Sequence, residues 1–183
     1  MKIALCTDMY LPQLGGVADS VVLQAAGLRA LGHDVHIFAA HMQGEAADPE
    51  VTRFKSVELF AGTFCVVSPF GISDAIRAYA PDVIHVHSYG TIGLIARRTA
   101  RIHGIPSVAT CHGSPLDYLH YFYIDFEPFR SLTLLFLAWF FSGFTTVTAV
   151  SSQTMDMLIR AGLRRVKTSI VSNAVDPTVF GRL

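Results

Sequence analysis

The 183-residue chain is 51% hydrophobic and 15% charged, and its formal net charge is zero. That length suits one domain around one core. A balanced charge excludes the basic excess by which nucleic-acid binders hold phosphate, so no nucleic-acid partner is expected.

The first apolar run, Ile3–Thr7, meets Asp8 too early for a secretory leader and reads as a strand. A Gly15-Gly16 turn opens a helix over Val17–Leu31, which Gly32 stops. Asp34–Ala39 reads as a second strand, and Gly44–Phe60 carries no pattern strong enough to assign. Beyond it come a strand at Phe64–Val67, a short helix over Ser73–Tyr79 ending before Pro81, and a strand at Val83–Val86. A helix over Thr91–His103 stops at Gly104, and Ser107–Cys111 reads as a strand. Pro128–Phe141 reads as a helix with proline in its first turn. A strand at Thr145–Val150, a helix over Ser152–Ala161 and a strand at Thr168–Val171 complete the series.

Short strands rich in Val, Ile and Thr, alternating with helices and lacking strict polar alternation, are strands covered on both faces. The expected fold is therefore α/β: a Rossmann-like, doubly wound, mostly parallel sheet with helices on both faces. Ligands of such sheets bind beyond the carboxyl ends of the strands. Three cysteines, Cys6, Cys65 and Cys111, sit in apolar runs without metal-ligand spacing. Free thiols in a reducing, cytoplasmic compartment are expected.

Several loops after strands carry residues with chemistry. Gly15 and Gly16 leave backbone N–H groups free to approach a ligand, and the helix behind them offers its positive end to a phosphate. The pattern is neither a dinucleotide fingerprint nor a P-loop, and its plain alternative is a tight strand–helix turn. Asp19 and Ser20 follow in the first helical turns. His85 and His87 share one side of a strand. Further metal ligands at recognisable spacing are missing, so no metal site is expected; one histidine is expected in the core and the other towards a cleft. His112, between Cys111 and Gly113, stands at a carboxyl strand end, with Asp117 near enough in sequence to set its tautomer. Ser114, His112 and Asp117 lack the G-x-S-x-G elbow of a hydrolase triad.

Within Asp117–Phe126, five aromatics fall in the nine residues from Tyr118 on, which suits sugar stacking, a membrane interface or a core lid. Leu132–Phe141, extended to Phe144, gives about 13 apolar residues against the roughly 20 that a spanning helix needs. A buried helix is one reading; docking on a bilayer or a partner is the other. Arg160, Arg164, Arg165 and Lys167 form either a solvated face or an anion holder.

Taken in order, these segments resemble glycosyltransferase family 4, a family with the GT-B fold. The resemblance rests on Thr7-Asp8-Met9-Tyr10-Leu11-Pro12 with Gly15-Gly16-Val17, on Leu28–Val35, on Pro81–His87, on Thr110-Cys111-His112-Gly113, on Thr148–Ser152 and on Val171–Asp176. It implies the N-terminal, acceptor-binding half of a retaining enzyme that uses a nucleotide-diphosphate sugar as donor substrate and needs no metal or other cofactor. By position, Gly15 and Gly16 would face the donor diphosphate. His112 would contact the transferred sugar and steady the charge of the departing group. Asp8, Tyr10, Asp19, His87 and Tyr118 would line the acceptor side. The region around Asp117–Tyr121 is similar to diacylglycerol glucosyltransferases, which implies a lipid or carbohydrate acceptor and peripheral contact with the inner face of the cell membrane.

Ser172-Asn173-Ala174 replaces the family's Pro-Asn-Gly, putting a backbone conformation that glycine permits in question. The donor-holding E-x₇-E motif of the second half is not in this sequence, so that half is expected on a missing C-terminal domain or a separate subunit. A non-catalytic interaction subunit and a nucleotide-sugar epimerase fragment are the competing readings.

Overall fold

The computed structural model describes residues 1–13, 15–59, 64–114, 116 and 126–174. Among the described residues, nine strands and five helices run in the order β1 (Lys2–Thr7), α1 (Gly16–Ala30), β2 (Asp34–Ala40), β3 (Val51–Phe54), β4 (Ser56–Leu59), β5 (Phe64–Val67), α2 (Ile72–Tyr79), β6 (Val83–Val86), α3 (Thr91–His103), β7 (Ser107–Cys111), α4 (Glu127–Phe141), β8 (Thr146–Ala149), α5 (Ser152–Ala161) and β9 (Lys167–Ile170). Helix ends follow the glycines: Gly104 and Gly162 take left-handed φ values of 65° and 109°, which a side chain would resist.

Seven strands form one sheet in the order β3-β2-β1-β6-β7-β8-β9, and every pairing in it is parallel. The strand order reverses between β1 and β6, which is where ligands bind in an open doubly wound sheet. α1 covers one face, packing Val21 and Ala25 on Ile3, Leu5, Val35 and Ile37. On the other face Ile76, Ile92, Ala96, Leu137, Phe140 and Leu158 from α2–α5 pack on Cys6, Phe38, Ile84, Val86, Ala109 and Val147. The expected Rossmann-like architecture, with helices on both faces, is therefore present.

Two strands were not expected. β3 and β4 lie in the stretch without a clear pattern; β3 extends the sheet beside β2. Phe64–Val67 is a strand as expected, but it pairs antiparallel with β4 in a separate hairpin instead of joining the parallel sheet. Cys6 and Cys111 are buried and Cys65 is half-buried, all three as free thiols. Among the described residues no helix is long and apolar enough to cross a membrane.

Candidate active site at the strand tips

Because the sheet is parallel, the residues that follow β1, β6, β7 and β9 emerge at one edge. Asp8, His87, His112 and Asn173 are those residues. The His87 amide donates to the Cys6 carbonyl at 2.9 Å, so β1 and β6 stay joined up to the reversal point.

Alternation decides what faces what. Ile84 and Val86 belong to the core under α3, so His85 and His87 turn to the other face, with ring centroids 4.2 Å apart. His87 stacks on His112, with centroids 5.3 Å apart and His87 Nδ1 at 3.0 Å from His112 Nε2. Below them a polar ladder crosses the sheet. His85 Nε2 lies 2.7 Å from Thr110 Oγ1, which lies 2.7 Å from Thr148 Oγ1. Burial holds all three histidines neutral: His85 is pushed down to about 3, His87 well below the usual range, and His112 down to about 4, with the Asn173 side chain pulling His112 back up.

Asn173 ties this cluster to α1. Its side-chain oxygen accepts from the Ser20 hydroxyl at 3.2 Å, on the second turn of α1, while its amide interacts with His112. Gly15 and Gly16 thus open the same helix whose Ser20 reaches the His112 neighbourhood. A Cβ at either glycine would meet nothing within 4 Å, and no side chain caps the helix start. Its first N–H groups stand open to an anion. Ala174 is not among the described residues with a positive φ.

Asp8 departs from the expectation of an acceptor-facing carboxylate. It is 6% exposed and caps α3 from a distance. Oδ1 accepts from the Ile92 amide at 3.0 Å, Oδ2 accepts from the Ser88 hydroxyl, and the Asp8 amide donates to Ser88 Oγ at 2.8 Å. Burial pushes its carboxyl up, opposed by Ser88 and by the amides of Thr91, Ile92 and Gly93. His87 also departs from an acceptor-lining role: at 3% exposure its ring is enclosed between His85 and His112. Tyr10 is buried in the α1-side core with Arg53 over its ring at 5.0 Å. Asp19 is exposed in the first turn of α1. Tyr118, and with it Asp117, lies outside the described residues.

Sequence reasoning missed Ser88, Gly90, Thr110 and Thr148. The threonines were readable, since alternation on β6, β7 and β8 puts them on one face with His85. Nothing in sequence flags Ser88, whose work depends on β1 and β6 being neighbours.

Comparisons with known proteins bear on the family and the fold. The model of the family described as Glycosyltransferase Family 4 matches residues 14–179. Alpha-monoglucosyldiacylglycerol synthase from Acholeplasma laidlawii is 32% identical over 127 residues, 66% of this chain and 32% of that protein. The protein of the same name from Streptococcus pneumoniae is 34% identical over 126 residues, again 66% of this chain and 29% of that protein. The chain thus spans about a third of the length of these relatives. Among solved structures, Anabaena HepE in complex with UDP and glucose superposes with a TM-score of 0.64 at 17% identity, covering 96% of this chain and 45% of that one. At that identity the likeness concerns the fold.

Proposed function

Since the chain belongs to Glycosyltransferase Family 4, we propose that it is the acceptor-side, N-terminal half of a retaining glycosyltransferase. A sugar passes from a nucleotide-diphosphate donor to a lipid or carbohydrate acceptor, and the donor-binding half lies on sequence beyond these 183 residues or on a second chain. No cofactor is required. The observation that carries this reading is the convergence of His112, Asn173 and α1 at the reversal point of the sheet.

The chemistry needs charge stabilisation more than proton transfer. As the bond to the leaving nucleoside diphosphate lengthens, negative charge grows on the phosphate oxygens and positive charge on the sugar ring. The uncapped N–H groups at Gly15 and Gly16 suit the phosphate. His112, neutral at pH 7, orients the sugar by a hydrogen bond without adding a positive charge beside it. Asp19 and, outside the described residues, Tyr118 are assigned to the acceptor side.

A lipid acceptor is favoured by two features. The two relatives are both named for diacylglycerol glycolipid synthesis. In addition, α4 exposes Leu132, Leu135 and Trp139, a stripe at helical spacing, with the Arg97 guanidinium 4.2 Å over the Trp139 ring. That surface suits a peripheral membrane contact. Co-sedimentation with anionic liposomes is expected to fall in a folded Trp139→Glu variant; equal pelleting removes α4 from the contact. Transfer itself is tested by supplying the donor-binding half. Turnover of nucleotide sugar is expected only when both halves are present, and normal turnover by these 183 residues alone overturns the division of labour.

A further inference from the structure

No side chain caps the start of α1, and its first buried residue is Ala18, so the Gly15–Gly16 turn is held by the loop that leads into it. Two anchors of that loop lie at Asp8. Its carboxylate accepts from the Ile92 amide, and its carbonyl accepts from Cys65 Sγ at 3.0 Å. A third anchor lies further along the loop and comes from β3.

Sheet register brings Arg53 within reach. Arg53 pairs with Ala39, which belongs to the α1-side core together with Tyr10. Register partners on parallel strands share a face, so Arg53 emerges beside Tyr10, whereas its neighbour Phe54 turns to the other core. The guanidinium lies over the Tyr10 ring at 5.0 Å. Nη2 donates to the Leu11 carbonyl at 2.7 Å, and Nη1 donates to the carbonyl of Ala40, the last residue of β2, at 2.9 Å. Nε lies 3.3 Å from Glu45 Oε2, and the two side chains are only 16% and 17% exposed. Glu45 is held in turn: Oε2 accepts from the Met42 amide at 3.0 Å, and Oε1 lies 2.6 Å from His41 Nδ1. One rigid, planar group thus joins the loop after β1 to the end of β2, and a fixed carboxylate sets its direction.

Leu11 stands four residues before Gly15, a span that reaches about 14 Å at most. Within it the Gln13 amide donates to the Tyr10 carbonyl at 3.1 Å, which folds the path back on itself. Fixing Leu11 therefore limits where the glycine turn can go. We propose that Arg53 is a positioning residue: its guanidinium, aimed by Glu45 and stacked on Tyr10, clamps the β1–α1 loop and through it sets the Gly15–Gly16 turn. What that turn meets, the donor diphosphate, rests on the glycosyl-transfer reading above.

The test compares Arg53→Gln with Arg29→Gln. Arg29 is a matched control: it too donates to a carbonyl, that of Val35 at 2.8 Å, and pairs with a carboxylate, that of Glu50 at 3.1 Å, but at the far end of α1. Amide hydrogen exchange of the 183-residue chain reads the loop without turnover. Arg53→Gln is expected to speed exchange at the Gln13 amide at least about tenfold, the effect of one lost charge-assisted hydrogen bond, and Arg29→Gln to leave it unchanged. Turnover is then measured in the enzyme assembled with its donor-binding half, at matched folded fraction. Arg53→Gln is expected to lower kcat at least about tenfold with donor KM changed far less, and Arg29→Gln to keep both. A folded Arg53→Gln variant with wild-type exchange at Gln13, with wild-type kcat, or with losses that Arg29→Gln matches overturns the proposal. If Arg53→Gln does not fold, Glu45→Gln, which keeps the guanidinium but loosens its hold, decides: faster exchange at Gln13 and a lower kcat support the clamp, and wild-type values overturn it. An assembled wild type that transfers no sugar sinks the glycosyl-transfer reading instead, and the exchange rates still decide whether Arg53 holds the loop.

Discussion

At the scale of single residues, the three stacked histidines make a titration device whose sign can be worked out. In the unfolded chain each titrates near 6.5. In the fold His112 is held to about 4 and His85 to about 3, so below pH 6.5 the unfolded state binds more protons. Their contribution is complete above pH 6.5 and is lost as pH falls towards 4. Asp8 works in the opposite sense, because its raised carboxyl takes a proton more readily folded than unfolded. It is one group against three, so the melting temperature is expected to fall between pH 7 and pH 4.5. His85→Gln keeps a nitrogen near Thr110 and removes one titrating ring; its profile over that range is expected to be flatter. A wild-type melting temperature independent of pH across the range contradicts the assignment. The histidines were visible in sequence as residues at strand tips. Their mutual stacking was not, because it depends on the register of β6 against β7.

At the scale of elements, the unit formed by β1, β6 and α3 sets the position of the site. α3 comes so near the β6 tip that a Cβ on Gly93 would lie 1.9 Å from the Ser88 carbonyl oxygen, and one on Gly90 2.7 Å from Asp8 Cγ. Backbone cannot yield as a side chain does. Gly93→Ala is therefore expected to destabilise by about 1–3 kcal/mol or more in urea unfolding. Gly27→Ala, in open space on α1, is expected to be neutral or to stabilise by up to about 1 kcal/mol. Equal stability of the two variants contradicts the close approach. The ends of α1, α3 and α5 were legible because a glycine stops each, Gly32, Gly104 and Gly162 in turn. β3 and β4 were not, since their short segments have no periodicity of their own and take their form from β2 and β5. Phe64–Val67 shows the limit well: its strand character is local, but its partner is a matter of tertiary structure.

At the scale of the whole molecule, double winding leaves a division that suits a half-enzyme. α1 covers β1 and β2, whereas the same face of β6, β7 and β8 presents His85, Thr110 and Thr148 with no helix over them among the described residues. β9, at the edge, is exposed along its length. The candidate site lies where these regions meet, at the reversal between β1 and β6. Topology made the parallel sheet legible in advance, because alternating strands and helices imply one; that its strand tips hold the ligand remains the expectation for such sheets. The roles of Asp8 and His87 were not legible, because a polar residue at a strand tip looks the same whether it meets a ligand or caps a neighbouring helix.

Glycosyl transfer at this site depends most on His112 acting in the transition state. The direct measurement is kcat, with donor affinity measured separately, for His112→Ala in the enzyme assembled with its donor-binding half. With the orienting hydrogen bond to the transferred sugar gone, kcat is expected to be at least about tenfold lower, with donor affinity changed far less. An unchanged kcat in a folded variant would contradict it.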